Sequence, residues 1–120
     1  MTYEAAQSID ADALVELQAS AHKATRLLKL LASEQRLMLL CRLLQGECAV
    51  GELAQAVGLS QSSTSQHLAK LRAEQLVDTR RAGQTIYYVL RDPAAVKVLD
   101  TLCEIYKPAV KTGKGAARKR

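Results

Sequence analysis

Phenylalanine and tryptophan are absent from these 120 residues, and four tyrosines supply all of the 3% aromatic content. A core must therefore be built from Leu, Val, Ala and Met, a mix that favours helices packed on helices. No apolar run approaches the ~20 residues needed to span a bilayer. The first ten residues are acidic and polar, with no positive start followed by an apolar stretch. That pattern is no secretory signal, and the expected compartment is the cytoplasm. Three cysteines in a reducing compartment make a structural disulfide framework an unsuitable reading. Also missing are a nucleophile–base constellation, a phosphate-binding loop and paired carboxylates, which argues against an enzyme. No internal repeat and no second domain are evident.

What is present suits one small domain. The hydrophobic fraction of 48% is sufficient for a core. A domain of this length is marginal alone, which makes a core shared between two copies attractive. The formal net charge of +5 fits a polyanionic partner. Part of that excess lies near the C-terminus, in Lys107, Lys111, Lys114, Arg118, Lys119 and Arg120. Such a tail reads either as a solvated end or as an extra contact with the polyanion. The expected organisation is a flexible N-terminus over 1–11, a folded domain over 12–107 and a basic flexible tail over 108–120.

Periodicity divides the folded part. Leu14, Leu17, Ala21, Ala24, Leu27, Leu28 and Leu31 recur at three- and four-residue steps, which predicts a helix over 12–31. Ser33 reads as the N-cap of a second helix over 34–45, with Leu37, Leu40, Cys41 and Leu44 as its apolar stripe and Gly46 as its stop. A third helix is expected over 50–57. Gly58-Leu59 makes a tight turn, and Ser60 caps a fourth helix running to about residue 75. The period then changes to β-branched and Tyr-rich runs at 77–81 and 85–90, separated by Ala82-Gly83-Gln84, a hairpin signal. Asp92-Pro93 opens a last helix. Val96, Leu99, Cys103 and Tyr106 line one of its faces, and Pro108 ends it. Two helices across a short Gly-containing turn are a helix-turn-helix, and the hairpin makes it winged. The fold expected is mainly α with a small β-hairpin, in the order α-α-α-α-β-β-α.

The run SQSSTSQH at 60–67 has few strong helix formers and many short hydrogen-bonding side chains. Its propensity cost, several tenths of a kcal/mol per Ser or Thr, makes sense if those side chains meet DNA. Gln can bond adenine at two atoms, and Ser and Thr can bond bases or phosphates. Thr64, Leu68 and Leu71 are expected to point inward, and Gln61, Ser62, Ser65, Gln66 and Lys70 outward. The candidate DNA-contacting set is Ser60, Gln61, Ser62, Ser63, Ser65, Gln66, His67 and Lys70, with Arg80, Arg81 and Gln84 on the hairpin. His67 is open to two readings, a DNA contact or part of a polar surface patch. Seen alone, a Ser-rich first turn is a common solvated helix start. The Gly turn before it and the basic hairpin after it favour DNA.

The segments LAQAVGLSQSSTSQHLAKL at 53–71 and LVDTRRAGQTIYY at 76–88 resemble the ArsR/SmtB family of winged-helix repressors, closest to its NolR/HlyU/BigR/SqrR branch. The resemblance spans about 27–106. It implies a homodimer joined through the first and last helices, with recognition helices in successive major grooves of double-stranded DNA. A palindromic operator with half-sites ~34 Å apart would match that symmetry. The metal site of the founding members does not carry over. Their Cys-Val-Cys motif aligns with Ala49-Val50-Gly51, and the last helix has no His. No metal or other cofactor is expected.

Several members of that branch sense oxidants or reactive sulfur through two cysteines, on the second and last helices. By that resemblance Cys41 matches the first position, whereas the second falls at Lys107. Cys103 sits one turn earlier, ~6 Å along the axis, which puts in doubt a bridge that needs Cα atoms within about 7 Å. Cys41 and Cys103 stand as candidate redox residues or as small buried core residues. Arg42 and Lys107 are candidates to lower a thiol pKa.

Overall fold

Asp10 caps the first helix of the computed structural model, which describes residues 10–106. Residues 1–9 of the N-terminal segment expected over 1–11, and all of the basic tail expected over 108–120, lie outside the described residues, as does Lys107. Of the described residues, those from Asp10 to Ala32 form one compact unit and those from Ser33 to Tyr106 another.

In the first unit, helix α1 spans Ala11–Leu31. The Asp10 carboxylate accepts from the Ala13 N–H at 2.8 Å, satisfying one of the four donors a helix start leaves open. Leu30 and Leu31 are buried. The rest of the expected stripe is not: Leu14, Leu17 and Leu28 are 50%, 49% and 56% exposed.

In the second unit, α2 spans Glu34–Leu44, α3 Val50–Val57, α4 Gln61–Ala73 and α5 Pro93–Tyr106. The Ser33 hydroxyl caps α2 by accepting from the Arg36 N–H, as its position before the apolar run predicts. Burial on α2 centres on Leu39, Leu40 and Leu43. The expected stripe was rotated: Leu37, Cys41 and Leu44 are only half-buried. The cause is local, because 37–44 is apolar at every position but Arg42 and carries no contrast from which to read a face. On α5 the buried positions are Ala95 and Leu99, with Val98, Leu102 and Cys103 half-buried. Val96 and Tyr106, which periodicity places on one face with Leu99 and Cys103, are exposed, Tyr106 by 77%.

The hairpin consists of β2, Val77–Ala82, and β3, Thr85–Leu90, in antiparallel register from Val77↔Leu90 to Ala82↔Thr85. Its loop is two residues, Gly83-Gln84, one shorter than the sequence suggested. Gly83 has φ +65, the positive value that the first position of a type II′ turn requires. A third strand was not foreseen. The pair Cys48–Ala49, β1, joins β3 through Cys48↔Tyr88 and Ala49↔Tyr87, giving the order β1-β3-β2. Helix α2 packs on α3, α5 and β3, while α4 packs on α3 and β2. The core between them is aliphatic: Leu39, Leu40, Leu53, Leu68, Leu71, Val77 and Leu99 are fully enclosed.

Candidate nucleic-acid interface

The turn before α4 fixes its direction. Gly58 ends α3 with φ +72, a left-handed conformation that costs a glycine little. Its N–H and that of Leu59 both reach the Ala54 carbonyl. Ser60 then starts α4, its hydroxyl accepting from the Ser63 N–H at 3.0 Å. The Ser60 carbonyl takes two bonds, from the Thr64 N–H at 3.0 Å and the Thr64 hydroxyl at 2.8 Å. Thr64 can therefore be fully buried without stranding its oxygen.

Thr64, Leu68 and Leu71, at i, i+4 and i+7, form the buried face of α4. Gln61, Ser62, Ser65, Gln66 and Lys70 are all exposed on the other side. Ser63 and His67 are half-buried at its borders, and Ser60 is exposed with its hydroxyl engaged in the cap. Gln61 also lies beside the first turn of α3: a Cβ at Gly51 would stand 3.9 Å from its Oε1. Basic side chains occur in the last turn, as Lys70 and Arg72. That leaves the positive N-terminal end of the helix to its amides and hydroxyls, a favourable setting for an anion. Arg72 is exposed and was not among the expected contacts, although the sequence shows it one turn beyond Leu68.

On the hairpin, burial fades from Val77 at the base to Arg80, Arg81 and Ala82 near the tip. Arg81 and Gln84 are exposed. Arg80 is committed within the chain. Its Nε donates to Oε1 of Glu47 at 2.9 Å, and its Nη2 donates to the second carboxylate oxygen of the same residue. The guanidinium also lies 5.0 Å from the ring centroid of Tyr87, its cross-strand neighbour. Those hydrogen bonds hold the Glu47 carboxyl below the usual range. Glu47 was not a sequence candidate, and nothing local marks it: its partner lies 33 residues away.

The cysteines fall into two environments. Cys41 on α2 and Cys103 on α5 bring their sulfurs to 4.0 Å. The one-turn displacement of Cys103 from the expected position does not separate them. Burial pushes the Cys41 thiol up to about 11, and neighbouring Cys103 adds to that rise. Cys48 is fully buried at the start of α3, where its thiol donates to Glu52 Oε1 at 3.7 Å. The same carboxylate accepts from the Ala49 N–H at 3.3 Å, closing the helix start. Burial raises Cys48 too, against an opposing pull from Arg42. Arg42 therefore acts on Cys48 rather than on Cys41. Among the described residues, no three His, Cys, Asp or Glu side chains gather in a form that could hold a metal ion, and no helix is long and apolar enough to cross a membrane.

The geometry has close counterparts. The nodulation protein NolR of Rhizobium meliloti is 50% identical over 91 residues, covering 76% of this chain and 75% of that protein. The structure of reduced HlyU from Vibrio cholerae superposes with a TM-score of 0.74 at 43% identity, covering 78% of this chain and 98% of the other. The homodimeric winged helix-turn-helix DNA-binding domain Mb0332 of Mycobacterium bovis superposes at 0.65 with 31% identity, over 73% and 82% of the two chains. The sequence profile of the arsR family of bacterial regulatory proteins matches residues 33–79, from the cap of α2 into β2. With its winged helix-turn-helix architecture and an identity this high over three quarters of its length, the chain belongs to the ArsR family of bacterial transcriptional regulators.

Proposed function

We propose that this protein is a cytoplasmic, homodimeric repressor that reads a palindromic operator with α4 and steadies itself on the DNA backbone with the wing. The observation that carries the reading is the division of α4 into an aliphatic buried face and an exposed face of Gln61, Ser62, Ser65, Gln66 and Lys70. Gln61 and Gln66 offer amides suited to adenine, each good bidentate pair giving about 1–3 kcal/mol of discrimination. Ser62 and Ser65 suit base edges, while Lys70 and Arg81 suit phosphate oxygens, which set position rather than sequence. Ser63 and His67 at the border, Ser60 in the cap and Gln84 at the wing tip complete the contact set. The repeating apolar positions exposed on α1, Leu14, Leu17 and Leu28, and the exposed Ile105 and Tyr106 on α5 support burial against a second copy. Bound over a promoter, such a dimer would block polymerase.

Binding-site selection from a random duplex pool tests this. A palindromic consensus is expected, with affinity falling steeply as salt rises because Lys and Arg displace counterions. Recovery of no consensus, or salt-independent binding, overturns it.

The 4.0 Å approach of Cys41 and Cys103 favours a second role layered on the first, release of DNA on thiol oxidation. Burial raises the Cys41 thiol pKa, which lowers its share of the reactive thiolate. With a peroxide, one of the two cysteines, attacking as thiolate, takes one oxygen to become a sulfenic acid, and the peroxide leaves as hydroxide. The thiol of the other then displaces that oxygen as water, forming the disulfide. Helix α2 also packs on α3, so a bond between α2 and α5 pulls on the element that precedes the recognition helix. Operator affinity measured before and after peroxide treatment, with reversal by dithiothreitol, decides this.

A further inference from the structure

The Arg80–Glu47 pair sits where the wing would meet DNA, and its chemistry bears on how tightly the wing holds. A guanidinium presents a planar fork of donors that suits a carboxylate or a phosphate equally well. Here the fork is filled. Both oxygens of Glu47 accept from Arg80, through Nε and Nη2. Tyr87 supports the guanidinium from the neighbouring strand at 5.0 Å. Both charged side chains are solvent-accessible, 50% for Arg80 and 38% for Glu47. The contact is therefore one that an incoming phosphate can reach and compete with.

We propose that Glu47 is an affinity-limiting residue: its carboxylate occupies the Arg80 fork in place of a DNA phosphate and withdraws one positive charge from the wing. This inference rests on the DNA-binding reading above. Its effect is on general affinity. Contacts with the phosphate backbone strengthen binding to every sequence alike. Removing one from the wing therefore lowers affinity for operator and bulk DNA together and leaves the discrimination between them to the base-reading face of α4. Arg81, exposed beside Arg80 on β2, remains as the wing's phosphate contact.

The test compares wild type, Glu47→Gln, Arg80→Ala and the double variant on a fluorescein-labelled duplex of mixed sequence, by anisotropy across a salt series. Glu47→Gln should bind more tightly, and its plot of log affinity against log salt should steepen by about 0.9. The gain over wild type then grows about eightfold between 1 M and 0.1 M salt. In the Arg80→Ala background the gain should vanish: the double variant should bind much as Arg80→Ala alone does. Circular dichroism melts check that each variant is folded before it is scored. Weaker or unchanged binding by Glu47→Gln overturns the proposal, since Glu47 would then be presenting Arg80 to the phosphate or be irrelevant to it. If Glu47→Gln strengthens binding as much in the Arg80→Ala background as in wild type, the proposal is also overturned, because the effect would be one of net charge and not of the Arg80 fork. If wild type and all variants fail to bind any duplex, the DNA-binding reading falls and takes this proposal with it. Binding by wild type with no gain in Glu47→Gln removes this proposal alone.

Discussion

The sulfur of Cys41 on α2 and the sulfur of Cys103 on α5 lie 4.0 Å apart across the helix interface. A disulfide needs about 2.05 Å, so closing it requires an approach of about 2 Å between two helices already in contact. Peroxide treatment should give a product lighter by two hydrogens, with Cys41- and Cys103-containing peptides joined in a non-reducing digest. Cys41→Ser and Cys103→Ser should each prevent the crosslink and keep operator affinity unchanged by oxidant. A variant that still loses affinity on oxidation would show that the switch lies elsewhere.

The pH dependence of Cys41 follows from its burial. Its thiol pKa stands at about 11 against an ordinary value of 9.0. At pH 8 this leaves roughly a hundredfold less thiolate than an unperturbed cysteine carries. Iodoacetamide should therefore label Cys41 slowly at that pH, with the rate climbing towards pH 11. The native state holds this proton more tightly than the unfolded chain. The stabilisation is complete below about pH 9 and is lost as pH rises towards about 11. Cys41→Ser should flatten that part of the stability profile.

Helix α4 ends on a residue suited to improvement. Gln75 adopts φ +65, while its N–H bonds the Arg72 carbonyl and the Leu76 N–H bonds the Leu71 carbonyl. These two bonds are a Schellman motif, whose left-handed position is usually glycine. Gln75 is exposed, so replacing its side chain removes no packing. Gln75→Gly should raise unfolding free energy by about 0.5–1 kcal/mol, read as a higher denaturant midpoint with an unchanged slope. A fall in midpoint would mean that the glutamine side chain stabilises the turn.

Gln61→Ala and Ser65→Ala address the reading face. Each should cost about 1–3 kcal/mol on the selected operator and far less on a mixed-sequence duplex. Equal losses on both duplexes would move the residue concerned into the class of backbone contacts.

The parts legible in the sequence are those where neighbouring positions differ sharply in polarity. On α4 the alternation of Thr64, Leu68 and Leu71 with Ser and Gln fixed which side turns inward, and the structure has the same division. The helix-turn-helix and wing followed from glycines and periodicity at single sites. On α2, the unbroken apolar stretch hid the buried face. Strand β1 is only two residues long, too short for any alternation to register. The Arg80–Glu47 and Cys41–Cys103 contacts join positions 33 and 62 residues apart. Such contacts depend on how elements cross in space, which a one-dimensional pattern does not encode. For Cys103, aligning the chain by resemblance put emphasis on Lys107, whereas the crossing of α5 over α2 selects the residue one turn earlier.

The ladder between β1 and β3 has a consequence for protein engineering. The wing is stitched by Cys48↔Tyr88 and Ala49↔Tyr87 to the residues that immediately precede α3, so it is no free-standing module. A graft that exchanges only 77–90 between relatives would leave the donor wing facing the recipient's 48–49, with a mismatched seam at its base. Transplanted wings should travel with both segments. Added length is best absorbed at the far end, between Gly83 and Gln84, where neither residue is part of a strand.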